Sequence, residues 1–252
     1  MTAKRQDIVN FLNDFLATGA VKDASCNGLQ VEGRQTVSRV GLAVDACMAA
    51  YKKAVSEKCQ MLIVHHGIIW NGLTSVRGAT ATQLHFLLSR ELNLYAAHLP
   101  LDMHPDVGNN AALARMLKMS SVKPFGEYKG YLIGCQGVLS ATCTVDDIGR
   151  LFAKKLGGSY TTLAFGKKKC RTVAIVSGGG SDAIPEAIEK GIDCFVTGES
   201  DHSNHHAALE SKINVVYLGH YHSEKPGVMA LGKKIEAEFG VEAMFLDVPT
   251  IT

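Results

Sequence analysis

The sequence lacks an excess of either charge. Its 26 lysines and arginines nearly balance its 24 aspartates and glutamates, for a formal net charge of +2, and only 20% of the 252 residues are charged. A protein that binds nucleic acid through a broad basic surface carries a larger positive excess, so this class is disfavoured, although a local basic patch stays open. Six prolines among 46% hydrophobic residues also exclude a disordered chain.

Long hydrophobic runs are missing as well. No apolar stretch approaches the roughly 20 residues that a membrane-spanning helix requires. The opening segment MTAKRQDIVNFLNDFL interrupts its apolar positions with acidic and amide residues, whereas a signal peptide has an unbroken apolar centre. We therefore expect a cytoplasmic protein that does not bind a membrane.

The cysteines lack the spacing of a disulfide framework or a zinc knuckle. Seven are present, an odd number, and no two of them form a CxxC pair. Disulfide-rich secreted domains and thiolate zinc sites are therefore both disfavoured. We expect these thiols to be reduced and mostly buried.

Short apolar runs that alternate with helical stretches dominate the chain. Strands are predicted at Val40–Val44, Met61–Val64, Leu92–Ala97, 131–139, Thr172–Val176, Cys194–Val196 and Val215–Leu218. Helices are predicted at 5–17, 47–58, 80–91, 107–118, 145–156, 182–190, 203–211 and 224–239. This alternation is typical of an α/β protein with mostly parallel or mixed sheets.

Polar residues follow three of the predicted strands. His65 and His66 come after the second strand, His98 and Asp102 after the third, and the segment 219–224 after the last. Ligands of parallel α/β sheets bind at the carboxyl ends of strands, and imidazole with carboxylate suits zinc, iron, manganese or nickel. The pattern favours a metal centre over the alternative of ordinary hydrogen-bonded loops.

The spacing of these residues constrains how they bind metal. Neighbouring side chains of a regular strand point to opposite faces, so His65 and His66 are not expected to chelate one ion and fit two adjacent ions better. His220 and Glu224 lie four residues apart, a spacing at which side chains meet on a helix. We expect a loop histidine followed by a glutamate in the first helical turn.

Six short motifs make a resemblance to a known family specific. They are NGLQVEG (27–33), HHGIIW (65–70), HLPLD (98–102), GNN (108–110), TGE (197–199) and GHYHSE (219–224). In this order they resemble the NIF-three-like dinuclear metal-centre family, known as GTP cyclohydrolase type 2 homologues. The resemblance runs from about residue 5 to the C-terminus and is to the short bacterial form without an inserted middle domain.

The resemblance implies a set of metal ligands. Two divalent ions per chain, of zinc, iron, manganese or nickel, would be held by His65, His66, Asp102, His220 and Glu224. His98 would act as a catalytic helper that moves protons, or would only hydrogen-bond within its loop. Relatives often carry a smaller residue where this chain has His222, which could shuttle protons or, as we expect, point to solvent.

The resemblance also implies a function and an assembly. The chain would be a metal-dependent hydrolase in which an activated water opens the imidazole ring of guanine in GTP, and it would form a toroidal homohexamer. Phosphoesters and amide-like rings would suit the same metals, so the small-molecule substrate, a nucleotide by resemblance, stays open. The alternative is a non-catalytic ring-shaped oligomer that binds a protein partner, a metal or nucleic acid through lysine clusters such as 167–169.

Two similar layered α/β units are predicted, with the dinuclear site in a cleft between them. The regular pattern breaks at 119–130, where Ser-Ser, Lys-Pro and glycine-containing pieces follow one another. Because His220 and Glu224 must meet ligands from the first half, the last helix is expected to return to the first unit. We therefore assign 1–125 with 221–252 to the first unit and 126–220 to the second.

Overall fold

The computed structural model describes residues 1–250. The chain divides into two compact units. The first unit comprises Met1–Leu101 and Val228–Val248, and the second comprises Asp102–Gly227 together with residues 249 and 250.

The elements alternate along the chain as the apolar pattern predicts. The strands are β1 (Ala3–Lys4), β2 (Gly28–Val31), β3 (Thr36–Val37), β4 (Arg39–Asp45), β5 (Met61–His66), β6 (Asn93–Ala96), β7 (Met119–Tyr128), β8 (Tyr131–Cys143), β9 (Thr161–Ala164), β10 (Cys170–Val176), β11 (Cys194–Thr197), β12 (Asn214–Tyr217) and β13 (Glu242–Phe245). The helices are α1 (Arg5–Phe15), α2 (Met48–Ser56), α3 (Gly78–Ser89), α4 (Leu99–Asp102), α5 (Asn109–Met116), α6 (Val145–Leu156), α7 (Ile184–Glu189), α8 (Asn204–Glu210) and α9 (His220–Phe239).

The first unit is built on a five-stranded sheet in the order β13-β4-β5-β6-β2. Strands β13, β4, β5 and β6 run parallel, and β2 pairs antiparallel with β6. The central strands are continuous apolar runs because both faces of a parallel sheet are covered. Leu62, Val64 and Leu94 pack against Tyr51 and Leu87 of the neighbouring helices in one buried cluster.

The second unit contains a six-stranded mixed sheet in the order β7-β8-β10-β11-β12-β9. Its centre, β10-β11-β12, is parallel. Successive residues of β10 point to opposite faces, so Val173 and Ile175 join one buried cluster while Ala174 and Val176 join another. The carboxyl ends of these three strands therefore lie side by side on a rigid base.

Most central elements occur where the sequence predicts them, whereas edge strands were missed. The segment 119–130 was expected to be an irregular boundary, and this is wrong at the level of secondary structure because β7 spans Met119–Tyr128. Five consecutive residues of this strand, 120–124, are exposed, so it shows no alternation of apolar and polar positions. An edge strand tolerates a proline such as Pro124, since only one side of the strand is paired.

The division between the units also differs in position from the expected one. The expected boundary at 125 and 126 lies inside β7, whereas the units divide at Leu101 and Asp102. The chain returns to the first unit within α9, at Val228. Helix α9 itself begins at His220, four residues before its predicted start.

The cysteines and the helices bear on two of the expectations from composition. All seven cysteines are free thiols, and four of them, Cys59, Cys135, Cys170 and Cys194, are buried. Among residues 1–250, no helix combines the length and the apolar character that crossing a membrane requires.

Candidate metal centre

His65 is the more buried member of the adjacent histidine pair that ends β5. Its Nδ1 atom lies 2.8 Å from the backbone oxygen of Ala97, and the residue is fully buried. A carbonyl oxygen only accepts hydrogen bonds, so Nδ1 carries the proton and Nε2 carries the lone pair. This is the tautomer in which an imidazole binds a metal through Nε2.

His66 is held in the same way by a carboxylate on the neighbouring strand. Asp45 ends β4 and is the register partner of His66 on β5. The Nδ1 atom of His66 donates to Oδ1 of Asp45 at 2.8 Å. The side chain of His66 is 19% exposed, so its ring lies at the edge of the sheet, where a ligand can reach it.

His98 follows β6 and is anchored by a buried aspartate. Its Nδ1 atom lies 3.0 Å from both carboxylate oxygens of Asp23, and its backbone N–H donates to Oδ1 of Asn27 at 2.7 Å. Burial opposes ionisation of Asp23, but hydrogen bonds from His98 and Asn27 outweigh it and hold the pKa of this carboxyl well below its usual value. Asp23 is therefore a carboxylate that fixes the ring of His98.

These three imidazoles form one cluster in the first unit. The ring centroid of His65 lies 4.7 Å from that of His66 and 5.1 Å from that of His98. One ligand atom of each residue lies within 4.8 Å of the others, close enough to hold a single ion. The two rings lie closer together than strand alternation alone predicts, and the expectation that they bind two adjacent ions stays a prediction.

Trp70 forms a wall of this cluster rather than part of the core. Its ring centroid lies 5.0 Å from that of His98 and 6.1 Å from that of His66. The indole Nε1–H donates to the backbone oxygen of Gly67 at 2.8 Å, which fixes the ring. The residue is 38% exposed.

In the second unit, Asp102 is buried among hydrogen-bond donors. Its Oδ1 atom accepts from Nδ2 of Asn109 at 2.8 Å and from Oγ of Ser177 at 3.0 Å. Asp102 is only 8% exposed. Two donors on one oxygen stabilise the ionised carboxylate.

Asn109 connects this carboxylate to helix α9. Its Oδ1 atom accepts a 2.7 Å hydrogen bond from the backbone N–H of Gly227, while its Nδ2 atom donates to Asp102. Pro226 lies inside α9 and has no backbone N–H, so it interrupts the hydrogen-bond ladder of the helix one residue earlier. The fully buried Asn109 thus sets the position of this part of α9 against Asp102.

The first turn of α9 carries the other two predicted ligands. Oε1 of Glu224 lies 3.1 Å from Nε2 of His220, and Oε1 of Glu199 accepts from Nδ1 of His220 at 2.8 Å. His220 is the first residue of the helix rather than a loop residue, so it meets Glu224 by helical spacing. Burial lowers the pKa of His220, but the carboxylates of Glu224 and Glu199 outweigh this and raise it to about 9. The pair of carboxylates thus favours a positive charge at this point.

Gly178 makes room for the Glu224 carboxylate. A side chain at Gly178 would collide with Oε1 of Glu224 and would lie 3.1 Å from Nε2 of His220. The backbone N–H of Gly178 donates to Oγ of Ser223 at 2.9 Å, and that of Ser177 donates to Oδ1 of Asn110 at 2.8 Å. These two backbone amides therefore hydrogen-bond within the protein.

The donor set fits divalent cations. Each of the four histidines has Nδ1 held by a carbonyl or carboxylate oxygen, which is the arrangement found around metal-ligating imidazoles. Buried carboxylates are seldom left without a cation or several donors, and Asp102 and Glu224 are 8% and 3% exposed.

Within each unit, the structure brings part of the predicted set together, whereas Asp102 contacts Asn109 and Ser177. His65 and His66 lie beside His98 in the first unit, and His220 and Glu224 share one helical turn in the second. Sequence reasoning missed the residues that position them: Asp23, Asp45, Asn109 and Ser177. Asp45 had a recognisable signal, since it directly follows a predicted strand that neighbours the strand of the histidine pair.

The remaining histidines of the second unit lie partly around a separate cavity. His222 is half-buried, and its ring fills the space where Gly158 would carry a side chain, so it does not point freely to solvent as expected. His202 and His206 are exposed, whereas His205 is half-buried and contacts Phe165.

Comparisons with known proteins agree with the fold and the motifs. Two proteins named GTP cyclohydrolase 1 type 2 homolog, from Archaeoglobus fulgidus and Pyrococcus abyssi, are 46% and 45% identical over 97% and 98% of this chain and 98% and 99% of their own. A crystal structure from Thermus thermophilus is 38% identical, with a TM-score of 0.91 over 99% of this chain and all of that one. The predicted α/β class with two layered units is confirmed. A family model described as Duf34/NIF3 (NGG1p interacting factor 3) matches residues 3–251, and the chain therefore belongs to this family.

Proposed function

We propose that the protein is a metal-dependent hydrolase that binds two divalent cations. The proposed ligands are His65, His66, Asp102, His220 and Glu224. One observation carries the proposal: the Nδ1 atom of each imidazole is held by an oxygen acceptor, which directs Nε2 to serve as a ligand. Zinc, iron, manganese and nickel all accept this donor set.

The protein's own residues would orient the ligands and hold charge. When bound, a pair of divalent cations supplies a water of lowered pKa and stabilises the negative charge that develops on the attacked centre. Asp45 and Glu199 fix the rings of His66 and His220 through their Nδ1 atoms, which leaves the Nε2 atoms as the ligand atoms. Asn109 and Ser177 hold the carboxylate of Asp102 in one orientation through its Oδ1 atom.

His98 is proposed to move the proton. Its Nδ1–H is fixed by both oxygens of Asp23 at 3.0 Å, so its Nε2 atom is the basic nitrogen. An imidazole oriented by a carboxylate accepts a proton from an attacking water and returns it to a leaving group. The ring lies beside His65 and His66, where such a water would be needed.

The proposed substrate is a nucleotide. Relatives that are 45–46% identical carry the name GTP cyclohydrolase 1 type 2 homolog, and hydrolytic opening of the guanine imidazole ring is the reaction that this name suggests.

The proposal is tested by metal-dependent turnover. The protein is stripped with a chelator, restored separately with zinc, manganese or iron, and screened against GTP, other nucleotides and phosphoesters. Turnover is expected in the restored wild type and in a His206→Ala control, whose histidine is exposed. Turnover should be lost in His66→Ala and in Glu224→Ala. Absence of turnover on every substrate at full occupancy by two ions would overturn the hydrolase and favour the non-catalytic oligomer.

A further inference from the structure

A cavity of about 980 Å³ lies in the second unit. It opens at the carboxyl ends of β11 and β12 and is lined by the turn 198–201 and by Leu218 and Gly219. This is the edge at which parallel α/β sheets bind ligands, and the volume suits a nucleoside-sized molecule. Glu199 lines the cavity and also holds Nδ1 of His220, so the cavity adjoins the first turn of α9.

Ring side chains form part of the walls of this cavity. Five of them line it: Tyr160, His202, His205, Tyr217 and His222. Two are fixed by their own contacts, since the hydroxyl of Tyr160 donates to Oδ1 of Asp146 at 2.7 Å and His205 packs edge-on against Phe165 with 5.3 Å between centroids. Fixed aromatic walls bind flat aromatic rings at a small entropic cost.

His222 is built into its wall by a glycine. Gly158 has a φ of +82°, which favours glycine, and a side chain there would lie 2.6 Å from the ring of His222. The turn and the imidazole therefore pack directly against each other.

The charged groups of the lining are carboxylates. Glu199 and Asp201 line the cavity, whereas no lysine or arginine is found among its described lining residues. Ionised carboxylates only accept hydrogen bonds, so they match ring N–H and amino groups. Phosphates, which need lysine, arginine or a metal ion, find no such partner in this lining.

We propose that this cavity binds the base of the substrate, a flat nitrogen heterocycle that carries ring N–H and amino donors, while the phosphates lie outside it. His205 and His222 act as ring walls that determine specificity, and the carboxylate side accepts the donors. The inference rests on the proposed function for the identity of the substrate as a nucleotide. Recognition of the base is thereby assigned to residues of the second unit.

The experiment measures binding without turnover. Guanosine, inosine and inorganic triphosphate are titrated into chelator-treated full-length protein by calorimetry. Guanosine should bind saturably, inosine about tenfold more weakly because it lacks the amino donor, and triphosphate not measurably. The metal is removed in the binding experiment, so a lack of guanosine binding would not contradict the proposed hydrolase. A lack of turnover in the metal-restored protein would likewise not contradict binding of the base in this cavity.

A matched pair of neighbouring histidines controls the experiment. His205→Ala should weaken guanosine binding about tenfold, as should His222→Ala, whereas His206→Ala, which changes an exposed residue outside the lining, should leave it unchanged. Absence of saturable guanosine binding, binding of triphosphate as tight as that of guanosine, or equal effects of His205→Ala and His206→Ala would overturn the proposal. A thermal melt of each variant separates lost binding from lost folding.

Discussion

The Nδ1 atom of His66 donates a 2.8 Å hydrogen bond to Oδ1 of Asp45. The two residues are register partners at the ends of the parallel strands β4 and β5, so the sheet itself sets their separation. A carboxylate in this place fixes both the tautomer and the orientation of the ring.

Removal of the Asp45 carboxylate should weaken metal binding without unfolding the protein. Asp45→Ala should lower the affinity for zinc about 10–100-fold, because the ring of His66 loses its anchor. Asp45→Asn retains an oxygen acceptor and should lose less zinc affinity. Asp14→Ala, which removes an exposed carboxylate of α1, serves as the control, and equal zinc affinity in all three variants by competition titration would contradict the prediction.

Asn109 should matter for both stability and metal binding. Asn109→Ala leaves the carboxylate of Asp102 and the N–H of Gly227 without this partner and should lower the free energy of unfolding by about 2 kcal/mol. The zinc affinity should fall as well. Asn109→Asp keeps the acceptor for Gly227 but sets two carboxylates against each other, so metal should stabilise it more than it stabilises Asn109→Ala. Identical metal-induced shifts in melting temperature for the two variants would count against this account.

Two glycines with nearly equal φ angles offer a matched test. Gly178 and Gly191 have φ values of +63° and +64°, but a side chain at Gly191 meets nothing within 4 Å, whereas one at Gly178 collides with Glu224. Each substitution to alanine should lower the free energy of unfolding by about 1 kcal/mol through backbone strain. Only Gly178→Ala should also lose metal. Full metal content in Gly178→Ala would show that Glu224 does not need this space.

Asp193 provides a pH-dependent contribution to stability away from the metal ligands. Burial opposes its ionisation, but hydrogen bonds from Lys167 and from the backbone N–H groups of Thr172 and Arg171 outweigh it and lower its pKa. A lowered pKa stabilises the fold above the unfolded value of about 3.9, and this contribution is lost as the pH falls through the folded value.

The test compares the wild type with Asp193→Asn by denaturant unfolding across pH. The variant should be less stable by about 2 kcal/mol at neutral pH, and the difference should be constant above about pH 5 and shrink below about pH 4. Metal content should be unchanged. A stability difference that grew as the pH fell would mean that folding raises the pKa of Asp193 instead of lowering it.

The sequence predicts the central elements of the fold because their local signals agree. Helix α6 has the predicted bounds 145–156, since Thr144 and Asp147 form a reciprocal capping box before a strongly amphipathic stretch. The buried strands of both sheets are recognisable as apolar runs. Edge strands such as β7 and β9 have exposed residues and few apolar ones, and their pairing is decided by distant neighbours rather than by their own pattern.

The residues of the candidate site also differ in how far the sequence alone predicts them. The candidate ligands are carried by short motifs with a fixed order, so they are visible in one dimension. Their anchors are not, because Asp23 reaches His98 only across a folded loop and Asn109 reaches Gly227 only through packing of α5 and α9. The short distance between the rings of His65 and His66 is likewise not predicted by strand alternation alone.

The metal content of the gently purified full chain tests the central claim most directly. Elemental analysis should find about two divalent ions per chain in the wild type, and a clear loss in His66→Ala and in Glu224→Ala. His206→Ala should match the wild type. Retention of no metal by the wild type, even after dialysis against zinc, manganese or iron, would contradict the account.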